Sequence, residues 1–96
     1  MSTPARRSPT RSPLGWPQLK ELERLYTAAT GVSRVQQRKA MGIHIRTGDG
    51  GHRHESVPWR IVYLYCDYWK LPRSAILGEW PTVIALAARA FRAATS

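Results

Sequence analysis

Acidic residues are scarce in this chain, which has six Asp and Glu against fifteen Lys and Arg in 96 residues. The formal net charge of +9 at pH 7 exceeds what solubility requires, since a net charge of about 2 to 8 suffices for a small domain. The first fifteen residues hold three of these cations and no acid, so the rest of the chain carries +6. We therefore expect a polyanionic partner and a binding surface on the folded part.

Cysteine and long apolar runs are nearly absent as well. Cys66 is the single cysteine, so no intramolecular disulfide can form, and its place within a predicted helix indicates a buried thiol. No stretch approaches the roughly 20 apolar residues that span a bilayer, and no continuous apolar segment marks a secretion signal. These absences predict a cytoplasmic protein that contacts no membrane.

Motifs for catalysis, metal binding and nucleotide binding are missing too. No Gly-x-x-x-x-Gly-Lys-Ser/Thr sequence occurs, which excludes an ATP-driven activity of the P-loop kind. The carboxylates are scattered, and His44, His52, His54 and Cys66 match no strong zinc-ligand spacing. We expect no enzyme activity, no catalytic residue, no metal site, no cofactor and no small-molecule substrate.

Proline and glycine divide the chain into an arm and one domain. Residues 1–15 consist mainly of Ser, Thr, Pro and Arg and bury too little apolar surface to offset the entropy of ordering, which predicts a disordered basic arm. Residues 16–96 are predicted to form an all-α domain, a compact cluster of about five helices. Apolar spacing and capping residues predict helices over 17–30, 34–41, 58–70, 73–79 and 81–94. Residues 42–55 are predicted to be an exposed loop, although residues 43–46 alternate as a short strand would.

Side-chain positions add detail to these helices. In the first helix, the charges of residues 20–24 have mixed signs at close spacing, which indicates exposed ion pairs without a function. Ser33 and Ser56 are expected to cap the second and third helices, and Arg34, Arg38 and Lys39 make the second helix basic. The tryptophans could stack on unpaired bases, but their helical spacing favours core packing.

The last sixteen residues place two kinds of surface on opposite sides of one helix. At about 100° per residue, the apolar side is formed by Val83, Ile84, Ala87, Ala90 and Phe91. The opposite side is narrow and cationic and is formed by Thr82, Ala85, Arg89 and Arg92. Together with the short helix before it, this helix predicts a C-terminal helix-turn-helix, whose second helix enters the major groove of DNA.

Several short sequences in the second half of the chain form a recognisable series. They are Pro58-Trp59-Arg60, Ile61-Val62-Tyr63-Leu64-Tyr65, Leu71-Pro72, Ile76 with Gly78, and Thr82-Val83. This series resembles the C-terminal DNA-binding domain of the bacterial replication initiator DnaA, in the Trp-repressor-like helix-turn-helix superfamily. The resemblance is clear over about forty residues and weaker from residue 17 to residue 95.

One departure from this family affects the expected target. The family has Gly-Arg-Asp-His-Thr-Thr-Val where this chain has Glu79-Trp80-Pro81-Thr82-Val83, with no His or Asp beside the Thr. The resemblance therefore implies the family's fold and duplex binding without its target sequence. Small stand-alone proteins with a domain of this kind resemble transcription regulators of phage-like gene clusters more than initiators. The resemblance therefore also implies a small regulator.

Candidate contacts with DNA follow from the chemistry of each side chain. We predict base reading by Thr82, Ala85 and Arg89, because Arg binds the guanine edge, Thr contacts a thymine methyl, and Ala admits the helix backbone. Contacts with phosphates or the minor groove are predicted for Arg6, Arg7, Arg11, Arg46, Arg53, His54, Arg60, Arg73, Ser74 and Arg92. The alternatives are a merely solvated face for Arg89 and Arg92 and a solubilising role for the arm.

The sequence thus predicts a nucleoid-associated, sequence-specific protein that binds double-stranded DNA and regulates transcription, for example by activating a phage-like gene cluster. A basic protein associated with RNA or the ribosome is an alternative, because charge and aromatic residues suffice for it too. Another is a replication or transcription adaptor that docks on RNA polymerase or on another DNA-bending or regulatory protein.

Overall fold

The computed structural model describes residues 11–49 and 55–95, and most of these residues are helical. They form β1 (Arg11–Gly15), α1 (Trp16–Thr30), α2 (Arg34–Met41), β2 (Ser56–Pro58), α3 (Trp59–Trp69), a 3₁₀ helix (Arg73–Leu77) and α4 (Trp80–Ala94). The two strands pair in antiparallel orientation, with Arg11 opposite Pro58 and Gly15 opposite Ser56. The prediction of an all-α domain with about five helices is confirmed only in its coarser form, since the described residues are mostly helical. They form four α-helices and one 3₁₀ helix, and the small sheet was not predicted.

Strand β1 corrects the predicted extent of the disordered arm, because residues 11–15, which were assigned to the arm, form a strand. The side chains of Ser12 and Leu14 are buried. The Ser12 hydroxyl donates a hydrogen bond to the Val57 carbonyl oxygen at 2.9 Å and accepts one from the Leu14 N–H at 3.1 Å. Leu14 thus joins the core while the buried hydroxyl is satisfied by the backbone. Residues 1–10, which make up the rest of the predicted arm, lie outside the described residues.

Helices α1 and α2 begin and end where their capping residues predict. Helix α1 has Pro17 in its first turn and stops at Gly31, whose φ of 82° is left-handed. Helix α2 begins after a capping box in which Ser33 accepts from the Gln36 N–H at 3.2 Å and Gln36 Oε1 accepts from the Ser33 N–H at 3.0 Å. It ends at Gly42, with a φ of 75°.

The third helix begins at Trp59, one residue from the predicted start, but its predicted cap is wrong. Residues 56–58 are extended in β2, so Ser56 does not cap a helix, and α3 begins at Trp59. The side chain of Val57 is completely buried, which explains why this segment pairs with β1 instead of opening a helix. The alternative of a strand over residues 43–46 is also wrong, since residues 45–48 form a turn.

One hydrophobic core joins the elements, and α2 contributes to it only through Met41, which is partly buried against it. Its members are Leu14, Trp16, Leu19, Leu22, Val57, Ile61, Val62, Tyr65, Cys66, Trp69, Leu71, Ile76, Val83, Ala87 and Phe91. Phe91 of α4 meets the rings of Tyr26 and Trp69 edge-on, with centroid distances of 5.0 and 5.2 Å. These contacts fix α4 against α1 and α3, and they give Trp69 the core role that its spacing predicts.

Gly48 lies in a place that no other residue type fits. Its φ is +90°, and its α-carbon packs against the ring of Trp16 so closely that an added Cβ would lie 2.6 Å from Trp16 Cδ2. Gly42 has a similar φ of +75° but open space around it. A side chain at Gly42 would therefore meet backbone strain alone, whereas a side chain at Gly48 would meet backbone strain and steric overlap with Trp16.

We expect Gly42→Ala to lower the free energy of unfolding by about 1 kcal/mol, the cost of a left-handed alanine. Gly48→Ala should lower it by about 2 to 4 kcal/mol, because the Trp16 ring must also move. Urea denaturation followed by circular dichroism measures both losses. Equal losses for the two variants would contradict the packing of Gly48 on Trp16.

Candidate nucleic-acid interface

The cationic side of α4 is open to solvent along its length. Thr82, Ala85, Arg89 and Arg92 are all exposed. On the opposite side the residues that recur every fourth position, Val83, Ala87 and Phe91, are at most 2% exposed. Because these buried residues fix the rotation of α4 about its axis, the predicted separation of an apolar and a cationic side is confirmed.

The segment before α4 is a short 3₁₀ helix rather than the longer helix predicted over residues 73–79. It ends at Leu77 and buries Ala75 and Ile76. Gly78 then lies against the first turn of α4, where a Cβ on Gly78 would contact Thr82 Cγ2 at 3.7 Å. This short connection brings the 3₁₀ helix directly to the N-terminal end of α4.

Arg73 and Ser74 are exposed at the beginning of the 3₁₀ helix. The Arg73 guanidinium group lies over the ring of Tyr63, 4.0 Å from its centroid. One of its nitrogens is also 3.9 Å from a carboxylate oxygen of Asp67. Arg73 is therefore oriented by two residues of α3, although at this exposure the ion pair itself adds little stability.

Arg46 and Arg60 come together at a cavity of about 230 Å³. Its lining is formed by Trp16, Arg46, Thr47, Gly48, Asp49, Glu55, Pro58, Arg60 and Ile61. Two carboxylates thus share this surface with the two predicted phosphate contacts. One of them, Asp49, accepts a hydrogen bond from Lys20 Nζ at 2.5 Å, and this bond lowers the pKa of Asp49. The region carries both signs of charge.

Some predicted contacts cannot be placed. Arg6, Arg7, Arg53 and His54 lie outside the described residues. Arg11 belongs to β1 through its backbone.

Arg38, one of the three residues expected to make the second helix basic, lies inside the protein. It is 1% exposed, and its Nε and Nη2 donate to the two carboxylate oxygens of Glu23 at 2.8 and 3.1 Å. Glu23 is also 1% exposed, so its prediction as part of an exposed ion pair is wrong. By contrast, Arg24 and Glu21 form the predicted exposed pair at 3.1 Å.

The Glu23 carboxylate accepts a third hydrogen bond, which comes from a second residue. The Tyr65 hydroxyl donates to Glu23 Oε2 at 2.5 Å, and burial together with this hydrogen bond raises the pKa of Tyr65. Burial opposes the charged form of Arg38, but its hydrogen bonds to Glu23 and the neighbouring negative charge outweigh burial and raise its pKa. The Arg38 guanidinium group is therefore held in its charged form, with two of its nitrogens donating to the Glu23 carboxylate.

Gln37 extends this cluster toward the aromatic core. Its amide nitrogen donates to the Glu23 carbonyl oxygen at 3.2 Å, and its amide oxygen accepts from Trp69 Nε1 at 3.0 Å. Gln37 is completely buried. A polar cluster of Glu23, Gln37, Arg38, Tyr65 and Trp69 thus links α1, α2 and α3.

Arg38 also shapes the turn that bears Arg46. Its Nη1 donates to the carbonyl oxygens of Ile45 at 2.7 Å and Thr47 at 2.8 Å, which flank Arg46 on either side. The position of an exposed candidate contact therefore depends on a buried guanidinium group. One feature of the sequence indicated that Glu23 is buried. It follows Leu19 by four residues and Trp16 by seven, and therefore lies on the apolar side of α1.

A second group of cations lines a groove of about 310 Å³ between α1 and α2. The groove is formed by Lys20, Arg24, Thr27 and Arg34. Since Lys20 pairs with Asp49 and Arg24 with Glu21, much of its positive charge is compensated. This surface is less suited to a polyanion than the exposed side of α4, where residues 80–96 contain no acid.

Comparison of the chain with protein-family models, curated proteins and solved structures finds no match. Within residues 11–49 and 55–95, no three His, Cys, Asp or Glu side chains are grouped so as to hold a metal ion. Cys66 is buried, and burial raises its pKa to about 11. None of the helices in the same ranges is long and apolar enough to cross a membrane.

The buried ion pair makes a prediction about stability. Glu23→Gln keeps the shape of the side chain but leaves Arg38 as a buried charge without a counter-ion, so the free energy of unfolding should fall by about 3 to 5 kcal/mol. The matched change Glu21→Gln breaks only the exposed pair with Arg24 and should cost less than about 1 kcal/mol. Urea denaturation at pH 7 distinguishes the two, and a small loss for both variants would contradict an ionised buried pair.

Proposed function

We propose that this chain is a sequence-specific protein that binds double-stranded DNA and regulates transcription, with α4 as the helix that enters the major groove. The observation that carries the proposal is the exposed row of Thr82, Ala85 and Arg89 opposite a buried apolar side. The small side chain of Ala85, at the middle of the row, lets the backbone of α4 approach the floor of the groove.

Each exposed group has a part in this proposal. Arg89 pairs with the O6 and N7 atoms of a guanine, and Thr82 contacts a base edge near the N-terminal end of α4. Arg92, Arg73 and Ser74 hold phosphates and thereby set the register of the helix. Arg73 suits this part because Tyr63 and Asp67 already orient its guanidinium group.

The 3₁₀ helix and α4 would then form the two halves of a helix-turn-helix joined at Gly78 and Glu79. The resemblance to the DnaA domain supports this assignment, and the departure at residues 79–83 implies a different target sequence. Arg46 and Arg60 add backbone contacts, although Asp49 and Glu55 beside them limit their share. We place the protein on the bacterial or phage-like nucleoid as a small regulator.

Salt dependence tests the electrostatic part of the proposal. If about six cations contact phosphates, duplex affinity should fall roughly a thousandfold between 50 and 200 mM salt, because bound counter-ions are released. Fluorescence anisotropy with a labelled duplex measures this slope. A flat response would contradict the proposal, and preferential displacement by single-stranded RNA would favour an RNA-associated protein instead.

Arg89 tests base reading. Arg89→Ala should weaken binding to the selected duplex by roughly 1 to 3 kcal/mol more than binding to a scrambled duplex. Arg24→Ala is the control, since Arg24 is also an exposed cation but lies on α1, where it pairs with Glu21. Equal losses on both duplexes would remove Arg89 from the base-reading residues. Activity that survives removal of Arg73, Arg89 and Arg92 would point to a protein adaptor.

A further inference from the structure

Leu86 lies at the edge of the exposed side of α4, between the row that the proposed function assigns to bases and the partly buried Ala90. It follows Thr82 by four residues and precedes Arg89 by three, so it is a surface neighbour of both. Its two neighbours in the chain lie on different sides of the helix, because Ala85 is exposed and Ala87 is completely buried. Leu86 itself is 37% exposed and is therefore a large apolar group on a side of small and cationic residues.

An apolar side chain at this place has a restricted range of partners in a major groove. The base edges present hydrogen-bond donors and acceptors, which leucine cannot pair with, and burying them unpaired is unfavourable. The exception is the C5-methyl group of thymine, which offers an apolar surface of matching kind. Contact with that methyl group removes apolar area of both partners from water.

We propose that Leu86 recognises the methyl group of a thymine in the target site, an inference that rests on the proposed function of α4. It makes Leu86 a specificity-determining residue beside Thr82, Ala85 and Arg89. The recognised DNA would therefore combine a guanine, bound by Arg89, with a thymine, bound by Leu86.

The helix geometry also gives the spacing of these two bases. Three residues of α-helix rise ~4.5 Å along the axis, and base pairs in a strand are stacked ~3.4 Å apart. With the axis of α4 along the groove, the thymine thus lies one or two base pairs from the guanine. Selected target sites can be inspected directly for this arrangement.

The test compares thymine with deoxyuracil, which differs only by the missing methyl group. A duplex obtained by selection from random DNA is bound by the wild-type protein, and each thymine near the essential guanine is replaced in turn. We expect one replacement to weaken binding about threefold to fivefold, the effect of one buried methyl group. For Leu86→Ala the same replacement should have no effect.

A matched control comes from α3. Leu64 is 41% exposed, close to the value for Leu86, but lies on another helix. Leu64→Ala should retain the full preference for thymine over deoxyuracil. Leu86→Ala should fold normally, because alanine favours helix and the replaced side chain is partly exposed, and thermal denaturation checks this.

The outcomes separate the inference from the function on which it rests. A protein that binds no duplex with sequence preference overturns both the proposed function and the role of Leu86. Sequence-specific binding that is insensitive to every deoxyuracil replacement overturns the role of Leu86 alone. A thymine preference that persists in Leu86→Ala does the same, because it assigns the methyl contact to another residue.

Discussion

The arrangement of the helices depends on a buried charge pair, Glu23 with Arg38. Removing either charge from water costs several kcal/mol, so the pair is tolerable only where its hydrogen-bonding groups are satisfied together. Glu23 receives hydrogen bonds from Arg38 and Tyr65, and Arg38 also donates to the carbonyl oxygens of Ile45 and Thr47. These partners come from three helices and a turn, so displacing any one of them leaves a buried polar group unpaired. The cluster therefore specifies one arrangement more strictly than apolar packing alone would.

The proposed DNA-binding side of α4 follows from that arrangement through α1. Glu23 holds one side of α1 to α2 and α3, while Tyr26 of the same helix meets Phe91 of α4 edge-on. Tyr26 follows Glu23 by three residues and therefore lies on the same side of α1, so the contacts that hold Glu23 also fix the ring against which Phe91 packs. Val83 and Ala87 continue the same buried line, and the cationic side of α4 must then face outward.

Local sequence patterns predicted the elements that depend on local physics. Gly31, Ser33 and Gly42 marked helix ends correctly because capping involves residues only a few positions apart. The two sides of α4 were also predictable, since a regular spacing of apolar residues suffices. Strand β1 was not, because Leu14 is surrounded by Ser, Pro and Arg, and its strand partner Val57 is distant in sequence. The pairing of Glu23 with Arg38 was hidden in the same way, because charges at residues 20–24 also fit an exposed helix.

Charge counting illustrates the difference between attraction and recognition. The net charge of +9 is enough to draw the protein toward a polyanion, but it does not say which cations are available for contact. Arg38 is consumed inside the protein, and Lys20 and Arg24 are paired with carboxylates. Residues 80–96, by contrast, contain two arginines and no Asp or Glu. The exposed side of α4 thus combines positive charge with the small side chains of Thr82 and Ala85. That combination, more than the total charge, favours a groove over an unspecific polyanionic surface.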